Sequence, residues 1–354
     1  MSAKTFPIIR RKLLRWYDRN RRDLPWRQSR DPYAIWVSET MLQQTQVKTV
    51  LPYYEKFLRA FPTVLALNRA PLERVLRAWS GLGYYRRAEN LKKAARQLMK
   101  NHDGQLPRKY DQLRALAGVG DYTAGALLSI AFNQRYPALD GNARRVLGRN
   151  FLVADETKLR AIACAIVPPS RPGDFNQALM ELGATLCLPK QPHCQRCPLA
   201  SVCAAKFRKR AIPSSKQQSQ FRYKNVTWPI TIIRHQGKIL LRRRASAGLL
   251  ARLWELPGSE GMHAKFTMKQ LRDELEALPL APDRPRRIGE IRHSITHRRI
   301  RAPIYLFECP AGAKISLAKN RWRWIAPSAV QRQAVSSLTT KAVRALVQYE
   351  TSSL

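Results

Sequence analysis

The sequence predicts a multidomain chain: an all-α N-terminal domain followed by a smaller α+β domain. The prediction rests on three observations. The chain has 354 residues, more than one core usually organises. Apolar residues recur at helical spacing through roughly the first 205 residues and at strand spacing afterwards. Between the two regimes lies a polar stretch with seven basic residues and no acid, AKFRKRAIPSSKQQSQFRYK.

The segments KTVLPYYEKFLRAF (48–61) and ENLKKAARQLMK (89–100) have the apolar spacing of amphipathic helices. The breaks FPT, GLGYY and LAGVG punctuate a domain of short helices over 1–205. In LAGVGDYTA (116–124), two glycines two apart precede a helical run, ALLSIAF. Such a turn presents backbone N–H groups at a helix N-terminus, where a phosphate binds without side-chain charge. Taken alone, the motif is usually only a turn. Residues 206–225 read as an exposed basic linker. In 226–354, VTWPITIIR and KILLRRR read as strands joined by the turn HQG, and RAPIYLFEC as a further strand. RDELEALPL and SLTTKAVRALVQY read as helices, giving an α+β domain.

Lys and Arg total 64 against 24 Asp and Glu, a net charge of +40. Solubility does not require so large an excess, so a polyanionic partner is expected, nucleic acid first and an anionic membrane surface second. No apolar run is long enough to cross a bilayer, and the N-terminus lacks the pattern of a signal peptide. The expectation is a cytoplasmic protein.

Of six cysteines, four fall within 17 residues with the spacing C-x6-C-x2-C-x5-C: Cys187, Cys194, Cys197 and Cys203. Four thiolates on one short loop can encircle a 4Fe–4S cubane. Tetrahedral zinc is the alternative, although zinc sites usually show two close pairs and only the middle pair is close here. Cys164 and Cys309 stand apart and are expected to be ordinary buried residues.

The cysteine spacing resembles the cluster loop of the endonuclease III superfamily of DNA glycosylases. The resemblance implies one structural 4Fe–4S cluster held by those four cysteines. Leu116 to Ala124 resembles the helix–hairpin–helix of the same superfamily, which implies that Gly118 and Gly120 face a DNA phosphate. In the superfamily's bifunctional glycosylase–lyases a lysine stands at the position of Tyr122. A tyrosine forms no Schiff base, so the resemblance implies a monofunctional hydrolase.

Glycosidic cleavage needs protonation of the leaving group and stabilisation of an oxocarbenium-like sugar, tasks that two carboxylates can divide if their environments differ. Asp140, in ALDGNARRVLGR, resembles the superfamily aspartate that acts at C1′, with Asn142 helping to hold the site. Glu39 follows Ser38, a candidate helix cap, and on residue type alone reads as a first-turn acid. The stretch SETMLQQTQV around it resembles the MutY-type adenine glycosylases, in which this glutamate protonates adenine. The same resemblance gives Trp26, Arg27, Leu42, Val47 and Glu181 to the adenine pocket. It sets Gln44 and Tyr84 beside 8-oxoguanine. Read singly, Trp26 and Tyr84 are equally core aromatics and Gln44 a surface residue.

GLLARLWELPG (248–258) resembles the C-terminal domain of the same family, which is Nudix-like. Gly258 is followed six residues later by Ala264 where a Nudix hydrolase has glutamate, and RDELEALPL lacks the adjacent glutamate pair. No pyrophosphatase activity is expected. In HSITH (293–297), Thr296 and His297 fit the family loop that reads 8-oxoguanine, while Ile295 replaces its phenylalanine. The implied function is base-excision repair. A monomeric, bacterial, nucleoid-associated enzyme would remove adenine from double-stranded DNA opposite 8-oxoguanine or guanine. Two other readings are an endonuclease III-like lyase for oxidised pyrimidines and a DNA-binding iron–sulfur redox sensor. Tyr122 and the second domain argue against the first, and retention of both Glu39 and Asp140 argues against the second.

Overall fold

The computed structural model describes residues 5–208, 223–258, 260–261, 285–310, 317–318 and 320–352. The chain divides into two compact units, one of Met1–Ala70 with Glu89–Ser219 and one of Pro71–Ala88 with Gln220–Leu354. Among the described residues no helix is long and apolar enough to cross a membrane.

The first unit is helical. Its opening helix α1 (Phe6–Asn20) buries Ile9, Leu13 and Tyr17 at helical spacing. These pack with α9 (Gly141–Phe151), α10 (Glu156–Ile166) and α11 (Pro172–Thr185) in one core containing Val146, Leu147, Phe175 and Leu179. The helix α2 (Pro32–Leu42) is buried continuously from Tyr33 to Met41, as expected of a helix without a polar face. Asp31 caps it by accepting from the N–H groups of Tyr33 and Ala34, and Pro32 opens its first turn. The remaining helices are α3 (Val47–Ala60), α4 (Val64–Arg69), α6 (Arg86–Asn101), α7 (Tyr110–Arg114), α8 (Asp121–Ala126) and α12 (Ala204–Arg208). A π-helical turn, Leu127–Ala131, extends α8. Both helices read from apolar spacing, α3 and α6, form where expected.

Two local expectations are corrected. Ser38 is no cap: it lies inside α2, buried, and its hydroxyl donates to the Ile35 carbonyl at 2.8 Å. The helix starts at Pro32, so Glu39 lies near its C-terminal end. Cys164 is exposed, because α10 turns Leu159, Ala163 and Ile166 inward and leaves position 164 on the outer face.

The second unit is built on a seven-stranded sheet of order β1-β6-β2-β3-β4, with β5 on β6 and β7 on β3. The strands are β1 (Lys224–Thr227), β2 (Ile230–His235), β3 (Lys238–Arg243), β4 (Trp254–Glu255), β5 (Arg286–Ile295), β6 (Arg298–Glu308) and β7 (Trp322–Ile325). VTWPITIIR forms two strands, β1 and β2, with Trp228 and Pro229 between them; proline has no N–H for a ladder. Gln236 and Gly237 both take positive φ in the turn from β2 to β3. A C-terminal helix, α13 (Ser337–Ser352), lays Leu338, Ala342 and Leu346 into a core with Ile232, Ile239 and Leu241. On the other face Ile233, Leu240, Phe307 and Trp322 cluster.

The segment Pro71–Ala88, with its helix α5 (Leu72–Ala78), belongs to this unit through specific polar contacts. Glu73 accepts from Trp254 Nε1 at 3.0 Å and from Arg323 at 3.3 Å. The Ser80 and Tyr85 hydroxyls donate to the Val335 carbonyl at 2.6 and 3.1 Å. The expected helix RDELEALPL, Ala264, and residues 209–222 of the linker lie outside the described residues.

Candidate active site

Three helix ends of the first unit supply the chemistry. Glu39 lies in the last turn of α2 and is 5 % exposed. Tyr122, in the first turn of α8, donates its hydroxyl to Glu39 Oε2 at 2.5 Å. Burial pushes the Glu39 carboxyl up to about 7; the Tyr122 bond and Arg27 oppose the rise, and the negative charge of Asp140 adds to it. Burial and the nearby carboxylates hold the Tyr122 phenol far above its ordinary value, so it remains a donor.

Asp140 is the N-cap of α9. Its Oδ1 accepts from the Ala143 N–H at 2.6 Å and its Oδ2 from Asn142 Nδ2 at 2.8 Å. Burial raises this carboxyl too, against the pull of those donors and of Arg145. The two carboxylates therefore have different surroundings. Asp140 sits on the positive end of a helix with several N–H donors, whereas Glu39 has one phenol and the negative end of its own helix.

Behind Asp140, Arg145 donates to Asn142 Oδ1 at 2.7 Å and to the Gly183 carbonyl at 2.8 Å. Through Nε it also reaches the Cys187 carbonyl at 2.7 Å. Helix α11 can approach this closely because residue 183 is glycine: a Cβ there would lie 2.5 Å from Asn142 Cβ. Arg149 NH1 lies 3.3 Å from Cys187 Sγ and donates to the Leu188 carbonyl at 2.7 Å.

A third carboxylate lies on α11. Glu181, on α11 and 1 % exposed, is held by Arg22 through Nε at 2.6 Å and NH2 at 2.9 Å, and by Arg27 NH2 at 2.8 Å. Burial alone would raise its carboxyl, but these two guanidinium groups outweigh it and hold Glu181 below the ordinary carboxylate range. Arg27 lies over the Tyr17 ring at 5.5 Å, and Trp26 meets Tyr54 edge-on at 5.3 Å. Both aromatic contacts fix the short turn Pro25–Arg27.

The fold thus brings Trp26, Arg27, Glu39, Tyr122, Asp140, Asn142 and Glu181 into the first unit. Leu42 and Val47 are half-buried at the end of α2 and the start of α3, with exposed Gln44 between them. Tyr84, Thr296 and His297 belong to the second unit. Tyr84 is 46 % exposed, and Thr296 and His297 form the exposed two-residue tip of the β5–β6 hairpin. Gln44, Tyr84 and Thr296 all have left-handed backbone, with φ of 56°, 47° and 52°. For a β-branched or bulky residue that conformation is strained, and such strain clusters at functional positions.

The hairpin before α8 has the geometry that its glycines suggest. Gly118 takes φ +78°, and a Cβ there would lie 2.8 Å from Asn90 Cβ. Gly120 is the N-cap of α8, and the space where its Cβ would stand is open.

The four clustered cysteines are half-buried. Burial pushes the thiols of Cys187 and Cys197 up, Cys197 to about 11, and Cys187, Cys203 and Cys194 each add to the rise at Cys197. The four thiols therefore share one neighbourhood. Among the described residues no group of three or more His, Cys, Asp or Glu side chains is arranged to hold a metal ion.

Sequence reading missed Arg22, Arg145 and Arg149. Each works across a large sequence separation, and in a chain this rich in arginine no local signal distinguishes them.

Residues 37–169 match the family model for the HhH-GPD superfamily base excision DNA repair protein, and residues 230–345 match that for the NUDIX domain. The chain is 36 % identical to the adenine DNA glycosylase of Rattus norvegicus, over 95 % of this chain and 77 % of the relative. A thermostable thymine-DNA glycosylase is similar in structure at 30 % identity, with a TM-score of 0.55, covering 58 % of this chain and 98 % of that one. An endonuclease III in a non-covalent DNA complex shares the fold at 21 % identity and a TM-score of 0.53, covering 59 % of this chain and 98 % of that one.

Proposed function

Given that the chain belongs to the adenine DNA glycosylases of the HhH-GPD superfamily, we propose that it hydrolyses the N-glycosidic bond of adenine paired with 8-oxoguanine or guanine in duplex DNA. On this reading it acts as a monomer and without lyase chemistry. The observation that carries the reading is the pairing of Glu39, buried and protonated near neutral pH, with Asp140, hydrogen-bonded at a helix N-terminus.

Glu39 gives its proton to a ring nitrogen of the flipped adenine, which makes the base a better leaving group. Tyr122 keeps the carboxyl oriented. Asp140, fixed by Asn142 and the Ala143 N–H, faces the positive charge that develops at C1′ and directs water to it. Glu181 stays ionised between Arg22 and Arg27 and accepts from the exocyclic amino group. Trp26, Leu42 and Val47 wall the base. Tyr122 stands where the superfamily's lyases carry lysine, and its phenol cannot form a Schiff base. Gly118 and Gly120 present backbone N–H groups to a phosphate, and the net charge of +40 supplies non-specific affinity. Gln44, Tyr84, Thr296 and His297 contact the lesion base.

Cys187, Cys194, Cys197 and Cys203 suit a 4Fe–4S cluster. Their thiols share one neighbourhood, and Arg149 brings positive charge against Cys187 Sγ to offset the charge of four thiolates. When bound, the cluster would tie the loop together. Cys197→Ser is expected to lose iron and sulfide and to lower DNA affinity, while retention of stoichiometric iron would contradict the ligand set.

The test of the chemistry is Glu39→Gln under single turnover. Adenine release should fall by about three orders of magnitude or more, with lesion-duplex affinity within a few-fold of wild type. In the unchanged enzyme, strands should break only after alkali. Full activity in the variant, or direct strand cleavage, would contradict the assignment.

A further inference from the structure

We propose that Arg114 and Asp121 brace the hairpin between α7 and α8 and set its backbone N–H groups before DNA arrives, which makes both of them positioning residues for DNA binding. The proposal rests on the reading that Gly118 and Gly120 face a DNA phosphate.

The brace joins the two helices across the turn. Arg114 is the last residue of α7 and Asp121 the first of α8, so each charge stands on the helix end that favours it. Arg114 Nε lies 2.7 Å from Asp121 Oδ1, and Arg114 NH1 donates to the Val119 carbonyl at 2.6 Å. The oxygen of a trans peptide points opposite to the N–H of the same peptide. Holding the Val119 oxygen toward Arg114 therefore turns the Gly120 N–H away from it. Gly120 has no side chain to cover that N–H, and the space that a Cβ would fill is open.

Asp121 is also held from outside the hairpin. Arg160 NH1, on α10, donates to Oδ2 at 2.7 Å, and the Tyr110 hydroxyl, on α7, donates to Oδ1 at 3.0 Å. The Tyr110 ring in turn stacks on that of Tyr136, with centroids 5.7 Å apart. The bond from Arg160 and then that from Tyr110 keep the Asp121 carboxyl below the ordinary carboxylate range, so it stays ionised.

Charge alone gives no reason for a carboxylate here. In a chain of net charge +40, an acid beside Gly120 repels phosphate and neutralises arginines that would attract it. Its use is geometric: one carboxylate and one guanidinium fix α7, α8, α10 and the hairpin carbonyl together, so little ordering remains when a phosphate binds. Arg114 and Asp121 are 39 % and 40 % exposed, and an ion pair so exposed contributes little to stability. Loss of the brace should therefore show in DNA affinity rather than in melting temperature.

The test uses variants of the full chain and their affinity for an undamaged duplex across KCl concentrations, which does not depend on glycosylase chemistry. Arg114→Gln/Asp121→Asn leaves the net charge unchanged. By charge alone it binds like wild type; with the brace lost it binds about tenfold more weakly at every salt concentration, with the same salt slope and melting temperature. Asp121→Asn adds a positive charge and should nevertheless bind more weakly than wild type. Gly120→Pro removes the N–H itself and should match the double variant. Wild-type affinity in Gly120→Pro would show that the hairpin does not grip phosphate, and the brace would fall with that reading. Weaker binding in Gly120→Pro, with wild-type affinity in the double variant or tighter binding in Asp121→Asn, would leave that reading standing and overturn the brace. Should the double variant unfold, Asp121→Asn alone decides: weaker binding at an unchanged melting temperature supports the brace, and equal or tighter binding overturns it.

Discussion

Glu39 stands where local preference would not put it. The last turn of a helix disfavours negative charge, and burial disfavours it further. Its carboxyl is raised to about 7, so the sign of its pH dependence is the reverse of that of an ion-paired carboxylate. Between about 4.5 and 7 the folded chain holds a proton that the unfolded chain has released, so stability falls as pH rises through that window. Glu39→Gln should therefore raise the melting temperature at pH 8 and leave it nearly unchanged at pH 4. The rate of adenine release should be high below about 7 and decline above it as the proton is lost; a rate independent of pH from 6 to 9 would contradict this. Arg22 gives a second test at the same scale. Arg22→Ala leaves Glu181 with Arg27 as its one guanidinium partner beside the backbone N–H of residue 22, and adenine release should slow by roughly tenfold through a lower rate constant, with little change in melting temperature, since Arg22 is 41 % exposed. Of these side chains, sequence motifs marked Glu39, Asp140 and Glu181, because each sits in a recognisable string. Arg22 was invisible, because the contact that gives it a role spans 159 residues.

The loop before α6 shows what an element adds. Arg87 is 8 % exposed and donates to the carbonyls of Leu82, Gly83 and Tyr84 at 3.3, 3.1 and 3.4 Å. Its guanidinium lies between the Trp79 and Tyr84 rings at 5.4 and 5.5 Å, and burial lowers its pKa to about 10. This buried cation holds Tyr84 in a left-handed conformation that costs roughly 1–3 kcal/mol. Tyr84→Gly relieves the strain, so it should leave the melting temperature unchanged or higher. It should also cut discrimination between 8-oxoguanine:adenine and guanine:adenine substrates by about tenfold. A variant that keeps full discrimination would show that Tyr84 is only a loop residue. GLGYY is legible as a break, but the Arg87 clamp is not, because it is made by backbone carbonyls. The same limit explains the strands. β2, β3 and β6 carry β-branched and apolar runs and are legible, whereas β5, RRIGEIRHSI, interleaves charge with a glycine and lies mainly half-buried. Ser38 resembles a cap because a serine precedes an acid, whereas the cap in the structure, Asp31, precedes a proline.

At the scale of the molecule, the two-part organisation was legible from the change of apolar period, because helices and strands need different spacing. The place of Pro71–Ala88 was not. These residues precede the hairpin in sequence yet join the C-terminal sheet through Glu73, Ser80 and Tyr85, contacts with no local signature. Tyr84 therefore shares a unit with Thr296 and His297, so all but Gln44 of the residues proposed to contact the lesion base belong to one unit. On the proposed function, a single chain joins a protonated-glutamate hydrolase to a reader of the damaged partner base. Single-turnover adenine release from a duplex with one 8-oxoguanine:adenine pair, beside the same duplex with thymine:adenine, tests it most directly. Free adenine is expected from the lesion duplex alone, with strands breaking only after alkali. Equal release from both duplexes, or none from either despite tight binding, would contradict it.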